Sequence, residues 1–200
     1  MKNEIEHLLF KTKGVVNFDA KECIEVQPGR TSPLFVNIKS TLGSPKARHK
    51  IARELAKRVN PMSICICGIE SGGSYYASAV ADILKKPLVL FRKKEKEYGT
   101  CGRFVGAIPK IKNGLVAIVD DILAGGVIST ANNKALTDLG YRSELIVIYS
   151  FLPKIIGPMS KIKVSALSDT NGLCAVGQKL KFFRKSDVEL IKKECIYSNK

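Results

Sequence analysis

The chain has 200 residues, enough for one domain with a substantial core, and 45% of them are hydrophobic. No apolar run approaches the roughly 18 residues that cross a bilayer, and the start, with Glu4, Glu6 and His7, has an amphipathic helical pattern instead of a signal sequence, so a cytoplasmic protein is expected. Lysine and arginine outnumber aspartate and glutamate 33 to 18, a formal charge of +15 that draws polyanions.

The elements follow in chain order. Residues 23–26 and 34–39 read as a small antiparallel strand pair with Gly29 in the turn. Ser44-Pro45 opens a helix, and Ala47, Ile51, Leu55 and Val59 give it an apolar stripe. Residues 63–69 form a strand in which Cys65 and Cys67 share a face; Gly72-Gly73 leads into a helix through Leu84. Residues 87–91 are the next strand, and 92–112 a polar, basic, glycine-containing stretch. Residues 115–121 are apolar on both faces and β-branched, the mark of a strand buried in a parallel sheet. A helix over 127–139, strands over 143–151 and 161–167, and a last helix over 187–195 with Ser186-Asp187-Val188-Glu189 as a capping box complete the chain. Strands alternating with helices predict an α/β fold with a mostly parallel sheet and right-handed crossovers. No repeat or long linker divides the chain, so residues 1–200 are expected to form a single domain.

Three strand ends carry unusual chemistry, and a parallel sheet brings them to one edge. The first is Gly68-Ile69-Glu70-Ser71-Gly72-Gly73, whose amides can hold a diphosphate. The second begins Arg92-Lys93-Lys94-Glu95-Lys96-Glu97-Tyr98-Gly99, too polar to pack and suited to a mobile loop closing over phosphates. The third is Asp120-Asp121 followed by Gly125-Gly126. Carboxylates that bind hydroxyls, beside an anion cradle, suit a sugar phosphate; a helix-capping acid pair with a tight turn would use the same residues. The six cysteines lack zinc-ligand spacing and fit reduced, mostly buried thiols. Basic residues group at 46–58, 92–103 and 179–185 without interleaved aromatics, which favours a small phosphorylated ligand over nucleic acid.

Four segments in this order resemble the type I phosphoribosyltransferases, the orotate branch most closely. They are Gly29-Arg30-Thr31-Ser32-Pro33-Leu34-Phe35-Val36-Asn37, the loop 68–73, Arg92-Lys93 through Lys96 with Tyr98-Gly99, and Val119-Asp120-Asp121. The resemblance covers about residues 5 to 170. It implies the family's parallel sheet flanked by helices, with a small N-terminal hood over about 1–40 joined by the C-terminal segment. It implies Mg²⁺-dependent transfer of a phosphoribosyl group from 5-phosphoribosyl-1-diphosphate (PRPP) to orotate in pyrimidine biosynthesis, by a homodimer whose loop reaches the neighbouring site. Lys96, Asp120 and Asp121 take the catalytic positions. Phe35, Glu70, Ser71, Gly72, Gly73, Arg92, Lys93, Tyr98, Ala124, Gly125, Gly126, Val127 and Ile128 take the substrate-binding ones. No direct protein ligand to the metal is implied.

The chain departs from the family's pattern at four places, the mildest being Tyr98, where many members have His and some have Tyr. Ala124-Gly125-Gly126-Val127-Ile128 stands where Thr-Thr-Gly-x-Ser usually holds the 5′-phosphate. Ile148-Tyr149-Ser150-Phe151-Leu152-Pro153 lacks the Arg that meets the orotate carboxylate, and Val26-Gln27-Pro28-Gly29 lacks the usual Lys. A charged hydrogen bond is worth about 1.5–3 kcal/mol, so these losses bear on activity more than on fold. They leave open transfer to another base, or a non-catalytic relative that binds nucleotides or RNA.

Overall fold

In the computed structural model, residues 3–27, 30–96, 102–151 and 162–195 are described. The element order is α1 (Glu4–Lys11), β1 (Val16–Phe18), β2 (Ile24–Gln27), β3 (Arg30–Ser32), β4 (Leu34–Val36), a 3₁₀ helix (Ile38–Gly43), α2 (Pro45–Ala56), β5 (Ser63–Ile69) and α3 (Gly72–Leu84). There follow β6 (Leu88–Lys96), β7 (Gly102–Val105), β8 (Leu115–Leu123), α4 (Val127–Asp138), β9 (Arg142–Ser150), β10 (Lys163–Asp169), α5 (Thr170–Lys179) and α6 (Lys185–Cys195).

Six strands make one sheet in the order β10-β9-β8-β5-β6-β7, parallel except for the edge strand β7. From β5 the chain moves to β6 on one side, then returns to place β8 on the other side and continues to β9 and β10. The strand order therefore reverses between β5 and β8, which is where open α/β sheets bind ligands. Alternation along the strands divides the core. Ile66, Ala117, Val119, Ile146 and Ile148 face α1, α2, α3 and α5; Cys65, Cys67, Val116, Ile118, Leu145 and Val147 face α4 through Leu136. Burying each large apolar side chain is worth about 1.5–3 kcal/mol, so both layers contribute to holding the sheet between its helices. Burial pushes the Cys65 thiol up to about 11 and the Cys67 thiol up to about 12, which leaves them unreactive, as their place in the core requires.

The sequence expectations need four corrections. The small N-terminal strands do not pair as expected: β2 pairs with β3, and β4 pairs with β1, which carries Phe18 opposite Leu34. The expected turn residue Gly29 lies outside the described residues. The strand at 87–91 runs on through Lys96 and turns back as β7, because Arg103 donates to the Lys93 carbonyl at 2.7 Å and lays its guanidinium 4.6 Å from the Phe91 ring centre. Helix α5 has no counterpart in the sequence reading; the Asp169 carboxylate caps it by accepting from the Gly172 amide at 2.8 Å. Helix α6 starts at Lys185, not Asp187, so Ser186 is inside it; Asp187 instead accepts from the Arg184 amide and guanidinium. An N-terminal and a C-terminal segment meet in an aromatic cluster, with Phe10 5.1 Å from Phe182 and 5.7 Å from Phe183, and Phe18 5.3 Å from Phe183.

Candidate functional site

Strand β8 outruns β5. Their pairing ends at Gly68 opposite Val119, while β8 stays paired with β9 as far as Leu123 opposite Ser150. Asp120 and Asp121 therefore belong to the strand itself, not to the loop beyond it, with the β5 side of the ladder open. A cleft of about 230 Å³ fills this notch. Its walls are Glu70 and Gly72 after β5, Asp120 through Leu123 of β8, Ala124 through Ser129 at the start of α4, Lys93 of β6, and Lys39 of the 3₁₀ helix.

Two glycines set the geometry. A Cβ on Gly72 would overlap the Asp121 carboxylate, and one on Gly73 would overlap the Val119 carbonyl. Only glycine lets the first turn of α3 rest on the acid pair, where its partial positive charge favours a carboxylate. The Glu70–Ser71 peptide is cis. Side chains cap α2 and α5, through Ser44 and Asp169. Helices α3 and α4, whose first turns border the cleft, have no side-chain cap, and neither has α1. In α4 the first helical bond runs from the Thr130 amide to the Gly126 carbonyl, so the amides of Val127, Ile128 and Ser129 precede the helical ladder and stand ready for an anion.

The acid pair is unequal. Asp120 is 8% exposed; burial first, then the neighbouring Asp121 carboxylate, push its carboxyl well above the ordinary range, against a smaller opposing pull from Lys93. Asp120 accepts from the Asp121 amide at 2.9 Å, and Asp121 from the Ile122 amide at 2.9 Å. Behind them the Tyr76 hydroxyl bonds Thr41 of the 3₁₀ helix, and burial pushes that phenol up.

Of the residues singled out in the sequence, the structure brings Glu70, Gly72, Lys93, Asp120, Asp121 and the run 124–128 around this cleft. Ser71 and Gly73 adjoin it, at the start of α3. Phe35 is not in its wall: it lies in β4 opposite Asn17. Arg92 is not in its wall either, and donates to the Gly102 carbonyl at 3.2 Å. The backbone of Lys96 ends β6 opposite Gly102, while its side chain and Tyr98 lie outside the described residues. Lys134 does not reach the cleft; it pairs with Asp138 at 2.7 Å along α4. Lys39 and Ser129 also line the cleft; sequence reasoning missed Lys39 and set Ser129 aside as lying beyond the phosphate loop. Lys39 read as the end of a strand, and nothing local shows that a 3₁₀ helix delivers it to the cleft. Ser129 had a signal, a hydroxyl three residues after the glycine that opens α4.

A parallel sheet with a carboxylate pair and two uncapped helix starts at its switch point defines an α/β protein with a cleft where open sheets bind their ligands, at the carboxyl edge. The family described as Phosphoribosyl transferase domain matches residues 40–127. The orotate phosphoribosyltransferase of Methanosarcina mazei is 36% identical over 104 residues, 52% of this chain and 55% of that one. The orotate phosphoribosyltransferase of Methanococcus maripaludis is 30% identical over 152 residues, 74% of this chain and 79% of that one. The chain thus spans little more than half of the first relative and most of the second. The crystal structure of orotate phosphoribosyltransferase from Aeropyrum pernix superposes with a TM-score of 0.71 over 90% of this chain and 99% of that one, at 23% identity, a likeness of fold. The chain belongs to the phosphoribosyltransferase family.

Among the described residues no helix is long and apolar enough to cross a membrane.

Proposed function

We propose that this chain transfers the phosphoribosyl group of PRPP to orotate, releasing diphosphate and forming orotidine 5′-monophosphate. The observation that carries the reading is the acid pair set in the notch between β5 and β8, beside two uncapped helix starts. The orotate phosphoribosyltransferases among its relatives supply the choice of base.

Each group has a physical part to play. Loss of diphosphate from the anomeric carbon develops positive charge on the ribose ring, as in glycoside cleavage. Asp120 and Asp121 accept hydrogen bonds from the ribose hydroxyls. Burial disfavours the Asp120 anion, and a cationic ring relieves that penalty, so the interaction strengthens toward the transition state. The amides at the start of α3 and the cation Lys93 in the cleft wall, with Lys96 at the end of β6, take the charge of the leaving diphosphate. The amides of Val127, Ile128 and Ser129 hold the 5′-phosphate, with the Ser129 hydroxyl standing in for absent threonines. Among the described residues no three-donor cluster forms a metal cage. The hard oxygens of Asp121 and Glu70 in the cleft suit instead a Mg²⁺ carried mainly by diphosphate oxygens, where it would neutralise the leaving group. A cytoplasmic homodimer belongs to the same reading.

Calorimetric titration with PRPP, with and without Mg²⁺, followed by an absorbance assay of orotate consumption, tests it. Mg²⁺-dependent PRPP binding and orotate turnover are expected; no PRPP binding under either condition would sink the reading. One observation favours a second base. The end of β9 holds Tyr149, whose hydroxyl donates to Thr170 at 3.1 Å, and no Arg among residues 142–151 beyond Arg142 at the opposite end. PRPP binding with turnover of a neutral base, and none of orotate, would select that alternative.

A further inference from the structure

A second hollow lies away from the cleft and shares none of its lining residues. It is a groove of about 750 Å³ between α1 and α2. One face of α1 supplies Glu4, His7, Leu8 and Lys11; one face of α2 supplies Lys46, His49, Lys50, Arg53, Glu54 and Lys57. The spacing on α2, with cations at 46, 50, 53 and 57, follows the helical repeat and lines them in one row. The chain has only two histidines, and both are in this groove. Its floor is braced: Lys50 pairs with Glu4 at 2.7 Å and with Glu54 at 3.2 Å, and Lys57 pairs with Glu54 at 2.8 Å. These pairs use both carboxylates of the groove. Lys11, Lys46 and Arg53 are exposed and have no carboxylate within salt-bridge distance among the described residues. Five Lys and Arg against two Glu leave the groove at +3 before any contribution from the histidines.

We infer that this groove binds a single strand of nucleic acid, with the phosphate backbone along α2 and bases against the His7 and His49 rings. Charge complementarity selects a polyanion. The length of the row selects a strand over a free nucleotide: eleven residues of helix rise about 16 Å. A strand lays successive phosphates along the whole of that distance, whereas a mononucleotide's phosphates would reach only part of it. Imidazole rings can stack on bases without reading them, so the strand would be held with little sequence preference. A second copy of the chain is disfavoured as occupant, because two such faces repel.

Fluorescence anisotropy of labelled twelve-nucleotide RNA and DNA of the same sequence, over a range of potassium chloride, tests this. Lys46→Glu with Arg53→Glu should weaken binding at least tenfold and flatten the salt dependence by about 1.4 in log–log slope, two phosphate contacts at about 0.7 each. Lys110→Glu with Lys112→Glu makes the same charge change in the loop before β8, outside the groove lining, and should leave binding nearly unchanged. Melting curves confirm that both variants fold, and unchanged PRPP binding by the groove variant would separate this site from the cleft. Comparing RNA with DNA shows which strand is preferred. Equal weakening by both variants would overturn the inference, as diffuse charge alone would then explain binding. Displacement of the strand by ATP at its own low affinity limit, with no gain for twelve nucleotides over three, would overturn it in favour of a small polyphosphate site. A change in oligomeric state without loss of strand binding would show the groove to be a contact between copies.

Discussion

Asp120 holds a carboxyl where its charge is disfavoured, between the buried sheet and the Asp121 carboxylate. Its folded pKa lies above its unfolded one, so across the interval between them the native state binds more protons than the unfolded chain. Stability therefore falls as pH rises through that interval, and is fully present only below the unfolded value. Asp120→Asn should remove this slope and stabilise the fold near neutral pH by about 0.5–2 kcal/mol, while slowing phosphoribosyl transfer by orders of magnitude. Melting curves from about pH 4 to about pH 8, beside turnover assays, check both halves; an unchanged pH slope would place the extra proton on another group. The start of α4 offers a second test. Ala124 and Ile128 line the cleft, but each also packs against the core, Ala124 on one face of the sheet and Ile128 on the other. Ala124→Thr with Ile128→Ser should tighten PRPP binding by about 1–3 kcal/mol through regained charged hydrogen bonds, at some loss of stability from the missing Ile128 contacts. Calorimetry and melting of the double variant decide: a less stable protein with no gain in PRPP affinity would remove the 5′-phosphate from this helix start.

The approach of α3 to β8 explains why its first turn is Gly72-Gly73. Alanine has the higher helix propensity by about 1 kcal/mol, so Gly72→Ala would stabilise an isolated helix. Here the new methyl would meet the Asp121 carboxylate, which must move with β8 or swing into the cleft. The variant should lose at least a hundredfold in turnover and about 1–3 kcal/mol in stability; unchanged turnover would show that α3 and Asp121 need no such contact. Elements whose pattern is local were legible in the sequence. The buried runs at β5 and β8 are apolar on both faces, and Ser44-Pro45 carries its own cap, with the Ser44 hydroxyl accepting from the Ala47 amide. What was not legible depends on distant partners. The extension of β6 past Phe91 is a row of charged residues that reads as loop until β7 returns to pair with it. Helix α5 contains Gly172 and Gly177, poor helix formers; a side chain at Gly177 would overlap Phe183, so tertiary packing overrides propensity there. Asp169, its cap, was the one local signal. The acid pair was found because charge at the end of an apolar run is local, whereas Lys39 reaches the cleft through the fold of another segment.

At the scale of the whole molecule, the cleft is part of the same cooperative unit as the core. Val119, in the residue before the acid pair, is fully buried in the layer under α3, and Ile118 in the layer under α4. A ligand that bridges the ends of β5 and β8 and the starts of α3 and α4 binds only when both layers are formed. Such a ligand stabilises the native state by RT ln(1 + [L]/Kd), about 2.7 kcal/mol at a hundredfold excess over Kd. For a chain of this size each kcal/mol moves the melting temperature by about 2–4 °C, so saturating PRPP with Mg²⁺ should raise it by roughly 5–11 °C. Diphosphate alone, which would meet the α3 side and the basic strand but not the acid pair, should give a smaller rise. The Lys46→Glu, Arg53→Glu variant should show the full PRPP shift, because the α1–α2 groove and the cleft have no residue in common. Differential scanning fluorimetry of the wild-type protein and this variant measures both effects in one experiment. A PRPP shift that disappears when the groove is reversed in charge would move PRPP out of the notch between β5 and β8, and with it the role proposed for Asp120 and Asp121.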